Sequence, residues 1–193
     1  MASKKALVPI GNGSEEWEAV TIIDVLRRAG TDVCVASVED SLEVTCSRRV
    51  KIVADANIAD VTTKDFDLIA LPGGMPGAER LRDSKELIQL LRQQKGEGKL
   101  YAAICASPAV VFEHHGLIEG RPATAFPAFC DKLTNKESVE DRVVKADNLI
   151  TSRGPGTAME FALQLVAALH GLEKAREVAK ATVPFEGWDK YIK

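Results

Sequence analysis

The sequence predicts an α/β fold, a mainly parallel sheet with helices on both faces and a small β-hairpin excursion. Three observations predict it. Short apolar runs at residues 6–10, 66–71 and 100–104 read as strands. Strand, helix and strand follow one another at the start of the chain, a βαβ unit that is normally parallel and right-handed. Strands and amphipathic helices then keep alternating, which is the pattern of helices layered on a sheet.

Residues 6–10 form the first strand, closed by Gly11, Asn12, Gly13 and Ser14. Residues 15–29 read as an amphipathic helix, with Trp17, Val20, Ile23 and Leu26 at helical spacing. Arg27 and Arg28 suit its last turn, and Gly30 stops it. Residues 32–36 are the second strand. Alternation at Val44, Cys46, Val50 and Ile52 predicts a hairpin at an edge of the main sheet, with Ser47, Arg48 and Arg49 at its bend. Residues 66–71 are a buried strand ending in Pro72-Gly73-Gly74, where backbone can come close to another group.

Asp83 and Glu86 have capping-box spacing and open a helix through Leu87, Leu90 and Leu91 to Gly96. Residues 100–104 are a strand that stops at Cys105. Pro108 then opens a helix to His115, and Gly116 ends it. Residues 123–126 form a further strand, and residues 143–145 and 149–151 a hairpin. Residues 153–157 are a tight loop before a helix through Phe161, Leu165, Val166 and Leu169. Residues 173–181 are the last helix. No repeat or linker interrupts this pattern, so residues 1–193 read as one domain.

Composition excludes several classes of function. The formal net charge is −3, with no basic arm, so nothing points to nucleic acid or a membrane surface. No apolar run approaches the roughly 20 residues that span a bilayer. The first residues lack a signal or transit pattern, which predicts a cytoplasmic protein. Cys34, Cys46, Cys105 and Cys130 are widely spaced and contain no Cys-x-x-Cys, so free thiols are expected. Neither they nor His114, His115 and His170 have zinc-site spacing, and no metal or cofactor is expected. The nucleotide-binding glycine patterns and the serine-hydrolase elbow are absent.

Ligands of open parallel sheets bind beyond the carboxyl ends of the strands. Three loops there carry chemistry: residues 12–18, Pro72-Gly73-Gly74, and Cys105-Ala106-Ser107. Together they supply a nucleophile, a carboxyl group and backbone N–H groups for an oxyanion. Cys105 sits at a strand-to-helix turn beside a helix amino end, and its thiol is expected to ionise more easily than a free one. Glu15, Glu16 and Glu18 suit the first turn of a helix, and only some of them can point at a site. His114 and His115 read as a capping or solvated pair, Cys34 as core, and Cys46 and Cys130 as semi-exposed thiols without a role.

Seven stretches carry a resemblance: residues 1–8, Glu15-Glu16 with Glu18, residues 24–30, Cys46-Ser47-Arg48, residues 71–74, residues 102–106, and residues 151–157. In that order along nearly the whole chain they resemble the ThiJ/PfpI superfamily, in the branch of the Parkinsonism-associated deglycases. The resemblance implies a flavodoxin-like sandwich and a homodimer. It implies Cys105 as the reactive cysteine and Glu18 as the buried glutamate hydrogen-bonded to it. Gly73, Gly74 and Ala106 fall on the oxyanion amides, Arg48 on an arginine that reaches the pocket from the dimer partner, and Arg28 on the dimer region.

The activities implied are a glutathione-independent glyoxalase for small 2-oxoaldehydes, a protein or nucleotide deglycase, and a cysteine-based oxidative-stress sensor or chaperone. Ala106 stands where the protease-like branch has histidine, which lowers the peptidase reading. Phe126 stands where the animal branch has a pocket histidine, which leaves Glu18 as the main group for moving protons.

Overall fold

The computed structural model describes residues 3–192, so Met1 and Ala2 of the amino-terminal match lie outside the described residues. Seven strands make the main sheet. These are β1 (Lys5–Ile10), β2 (Asp32–Ser37), β5 (Ala56–Asn57), β6 (Leu68–Leu71), β7 (Leu100–Ile104), β8 (Val143–Ala146) and β9 (Leu149–Ser152). Their order across the sheet is β5-β2-β1-β6-β7-β9-β8, and every neighbouring pair is parallel except β8 with β9. The five central parallel strands follow the flavodoxin-like order. The remaining two, β3 (Glu43–Thr45) and β4 (Lys51–Val53), pair with each other in a separate antiparallel hairpin.

Strand alternation sorts the core into two layers. Ala6, Val8, Ala102 and Ile104 face α1 (Glu16–Arg28), α4 (Ala158–His170) and α5 (Leu172–Thr182). Leu7, Leu71, Tyr101 and Ala103 face α2 (Gly77–Asp83) and α3 (Lys85–Gly96). Each fully buried Leu, Ile or Phe on either layer contributes about 1.5–3 kcal/mol by leaving water. The chain leaves β1 into α1 on one face and β6 into α2 on the other. The carboxyl ends of these adjacent strands are thus a topological switch point, where open sheets form a crevice.

Several expectations need correction. The hairpin is no edge of the main sheet; it packs on α1 through Val44 and Cys46 against Ala19. Residues 123–126 form no strand. They are tied across the carboxyl end of the sheet by single bonds, Thr124 N–H to Thr151 Oγ1 (3.0 Å) and Phe126 N–H to Cys105 O (2.7 Å). The helix after Cys105 is one π-type turn, Pro108–Glu113. Cys46 and Cys130 are buried, not semi-exposed. On α1 the predicted stripe is rotated: Glu18, Ala19, Ile22, Val25 and Leu26 face inward, while Trp17 is 65% and Val20 50% exposed.

The helix α2 was not anticipated, and Asp83 is its last residue. The cap of α3 is therefore Ser84, whose Oγ accepts from Leu87 N–H at 3.3 Å. Ser84→Ala should cost about 1 kcal/mol of unfolding free energy. Urea unfolding measures this, and an unchanged midpoint would remove the cap from the account.

Candidate active site

Cys105 directly follows β7 with φ +66°, a left-handed backbone that costs a residue with a Cβ on the order of 1 kcal/mol or more. Main-chain bonds hold it there. Its N–H donates to Ser152 O at 3.0 Å, and its C=O accepts from Phe126 N–H at 2.7 Å. Next door, the buried Ser107 Oγ donates to Pro72 O at 2.6 Å and joins this turn to the loop after β6.

That loop comes close because it lacks side chains. A Cβ on Gly73 would stand 2.6 Å from Cys105 Cβ and 2.9 Å from Ala106 N. Gly74 has φ +87°, and a Cβ there would stand 2.4 Å from Gly13 O. With both glycines in place, the amides of Gly74 and Ala106 reach the Cys105 sulfur.

Glu18 comes from the first turns of α1 and is wholly buried. Its Oε2 accepts from Gly73 N–H at 2.7 Å. Its Oε1 is buried without a hydrogen-bond partner, and the Cys105 thiol acts on the carboxyl beside the Gly73 amide. Burial pushes the Glu18 carboxyl up to about 7, against the pull of the Gly73 amide and the thiol.

The thiol does not behave as its place beside a helix end suggests. Burial first, and the Glu18 charge second, push Cys105 up to about 12, against the Gly74 and Ala106 amides. The expected lowering fails because burial of the thiol and the charge of Glu18 together outweigh the two amides. Protonating Glu18 removes the second of these causes. The two groups therefore titrate as one unit that readily holds a single negative charge.

The structure divides the sequence-selected residues. It brings Cys105, Glu18, Gly73, Gly74 and Ala106 together. Gly73 needs a correction, because its N–H is committed to Glu18 and is not free for an oxyanion. Phe126 borders the site through its backbone, and its half-exposed ring packs over Gly154 of the loop after β9.

Arg48 lies exposed at the hairpin bend, where its N–H donates to Glu16 Oε1 at 2.8 Å. Arg28 ends α1, exposed and paired with Asp24 at 2.6 Å. Within this chain neither arginine is placed with Cys105. Ser47 Oγ stands 2.6 Å from Glu15 Oε2 and 2.8 Å from Glu16 Oε2. Burial raises the Glu16 carboxyl, but the hydrogen bonds of its own amide, Ser47 and Arg48 outweigh that and leave it below the usual range. Glu16 therefore clamps the hairpin and Glu18 serves the thiol.

No histidine completes the site. His115 Nε2 bonds Arg82 O at 2.9 Å and His170 Nε2 bonds Thr31 Oγ1 at 2.8 Å, both elsewhere. Among the described residues no group of His, Cys, Asp and Glu suits a metal ion, and no helix is long and apolar enough to cross a membrane. Sequence reasoning gave no individual role to Ser107 or Ser152 and passed over Gly77. A Cβ on Gly77 would stand 2.3 Å from Ser14 N, so a glycine there lets the loops after β1 and β6 interlock. The proximity of Gly77 to the Gly73-Gly74 pair was its only signal.

The model of the DJ-1/PfpI family matches residues 4–168. Protein DJ-1 homolog B of Arabidopsis thaliana is 54% identical over 92% of this chain but only 40% of its own length, so the chain spans about two fifths of that relative. A Caenorhabditis elegans relative named glutathione-independent glyoxalase DJR-1.2 is 39% identical, over 93% of this chain and 96% of that one. The solved structure of oxidized Toxoplasma gondii DJ-1 superposes with a TM-score of 0.92 at 50% identity, covering 94% of this chain and 98% of that one.

Proposed function

The chain belongs to the DJ-1/PfpI family, and from that premise we propose that it is a glutathione-independent glyoxalase acting on small 2-oxoaldehydes such as methylglyoxal. One observation carries the reading: a buried carboxyl raised to about 7 beside a thiol whose sulfur meets two backbone amides. Such a carboxyl is poised to take and return protons near neutrality. The glyoxalase name of the nematode relative supports the choice of substrate class.

The Glu18 carboxylate takes the Cys105 proton, and the sulfur adds to the aldehyde carbon. The C=O electron pair moves onto oxygen, where the Gly74 and Ala106 amides hold the oxyanion until it is protonated as a hemithioacetal. Glu18, having returned the thiol proton to that oxyanion, removes the C1 proton to give an enediolate and delivers it to C2, while the C1 hydroxyl proton passes to the C2 oxygen. The product is a lactoyl thioester on Cys105. Water breaks the C–S bond, releasing lactate and restoring the thiol, so methylglyoxal and one water become lactic acid without a cofactor. Purified protein free of glutathione should form lactate from methylglyoxal catalytically, and no lactate beyond the uncatalysed amount would overturn the reading.

A second reading rests on the oxidized state named for the Toxoplasma structure. Here Cys105 is a sensor. One peroxide converts the thiolate to sulfenate and a second converts that to sulfinate, each releasing water. Intact-mass measurement after mild peroxide separates the two. A gain of two oxygens on Cys105 in a protein without aldehyde turnover favours the sensor.

We also propose that the chain works as a cytoplasmic homodimer. Trp17 and Val20 on α1, and Val50 (48% exposed) and Val53 (67%) on the hairpin that packs on α1, expose apolar side chains whose burial in a dimer would be favourable. Arg48 sits on the same hairpin, from which it would reach the partner's site. Trp17→Asp should shift the protein to monomer in sedimentation or light scattering, and a dimer of unchanged affinity would exclude this face.

A further inference from the structure

A cavity of about 480 Å³ lies on the opposite side of the β6–β7 layer from α1, away from Cys105. Its volume is within the range of small-molecule sites. Lys85, Ile88 and Arg92 of α3 line one wall at helical spacing, Arg82 and Asp83 close the end of α2, and His115 covers the remaining side.

The charges in this cavity are not balanced. Arg82 is spent on Asp83, through Nε at 2.7 Å and Nη2 at 3.0 Å. His115 donates Nε2–H to Arg82 O at 2.9 Å, which fixes the ring against the α2 end. Among the described residues, Lys85 and Arg92 form no ion pair. Two cations of α3 therefore line a concave surface whose one carboxylate is already used, beside the mostly buried Ile88.

We propose that this cavity binds a small phosphomonoester. The two uncompensated cations match a phosphate dianion in charge, and the Arg92 fork suits two of its oxygens. Ile88 offers an apolar seat for the body of the ester. The site gives His114-His115 a place in the molecule that the thiol chemistry does not, because the edge-to-face contact of the two rings (4.8 Å between centroids) holds His115 against the cavity. It is independent of Cys105, and so of the reading given above.

Phenyl phosphate is the probe, titrated into the full chain at neutral pH and near-physiological salt and followed by amide and imidazole NMR shifts. Binding should saturate with a Kd of about 1 mM or lower, at least about fivefold tighter than inorganic phosphate, with shifts concentrated at Ile88, Arg92 and His115. Lys85→Gln and Arg92→Gln should each weaken it about tenfold, while Cys105→Ser binds as wild type. Both replaced side chains are at the surface, and melting temperatures will show that the variants fold. Non-saturating shifts, shifts scattered over the surface, or wild-type affinity in both variants would overturn the proposal.

Discussion

Cys105→Ser is expected to lower glutathione-free lactate formation from methylglyoxal by about 10³-fold or more, equivalent to about 4 kcal/mol of barrier. Serine is close to isosteric and keeps the main-chain bonds to Ser152 and Phe126, so the site geometry survives. What is lost is the nucleophile: Glu18, raised to about 7, is far too weak a base to ionise an alcohol. The amides of Gly74 and Ala106 remain and still polarise an aldehyde, so the Michaelis constant should change little while kcat collapses. Retention of more than about a tenth of the activity, with unchanged melting, would show that the thiol adds to nothing in the reaction.

Glu18→Gln should reduce activity by about 10²–10⁴-fold, the usual weight of a positioned proton carrier, while making the protein more stable. The wild-type carboxyl is raised from 4.5 to about 7 in the folded state, so the fold prefers its protonated form. That preference is fully present below about 4.5 and is lost as pH rises through about 7. Above neutrality wild type carries a buried charge that costs about 3 kcal/mol, and glutamine does not. The stability gap between variant and wild type should therefore open between about pH 4.5 and 7 and then stay level. Wild-type activity should rise through the same upper region as Glu18 ionises. Denaturant unfolding at several pH values measures the gap; a gap that is flat from acid to alkaline pH would mean that Glu18 does not titrate in this window.

Much of the fold was legible because the central strands are short, apolar and buried on both faces. Helix α1 shows why part of it was not. Its inward face carries Glu18 and Glu16, and its outward face carries Trp17 and Val20. Periodicity assumes that apolar residues point to the core, and here a site took the inner face and an apolar outer surface displaced the pattern. Helix α2 is short, and its only large apolar core residue is Leu81, too little for a period to show.

The site was half legible for a related reason. Cys105, Glu18 and the Gly73-Gly74 pair have chemistry that stands out in a list of residues. The commitment of Gly73 N–H to the carboxyl, and the burial that raises the thiol instead of lowering it, arise only from three-dimensional proximity. The segment of residues 123–126 has strand composition, yet it lies where no neighbour offers a ladder.

The way Cys105 is held has a consequence for change over time. The sulfur is positioned by main-chain bonds to Ser152 and Phe126 and by the absence of side chains at Gly73 and Gly74. Those bonds need a backbone amide at position 126, not a phenyl ring. The side chain at position 126 can therefore be exchanged while the sulfur stays in place. A lineage, or an engineer, can alter the side chain bordering the thiol without rebuilding the turn that holds it.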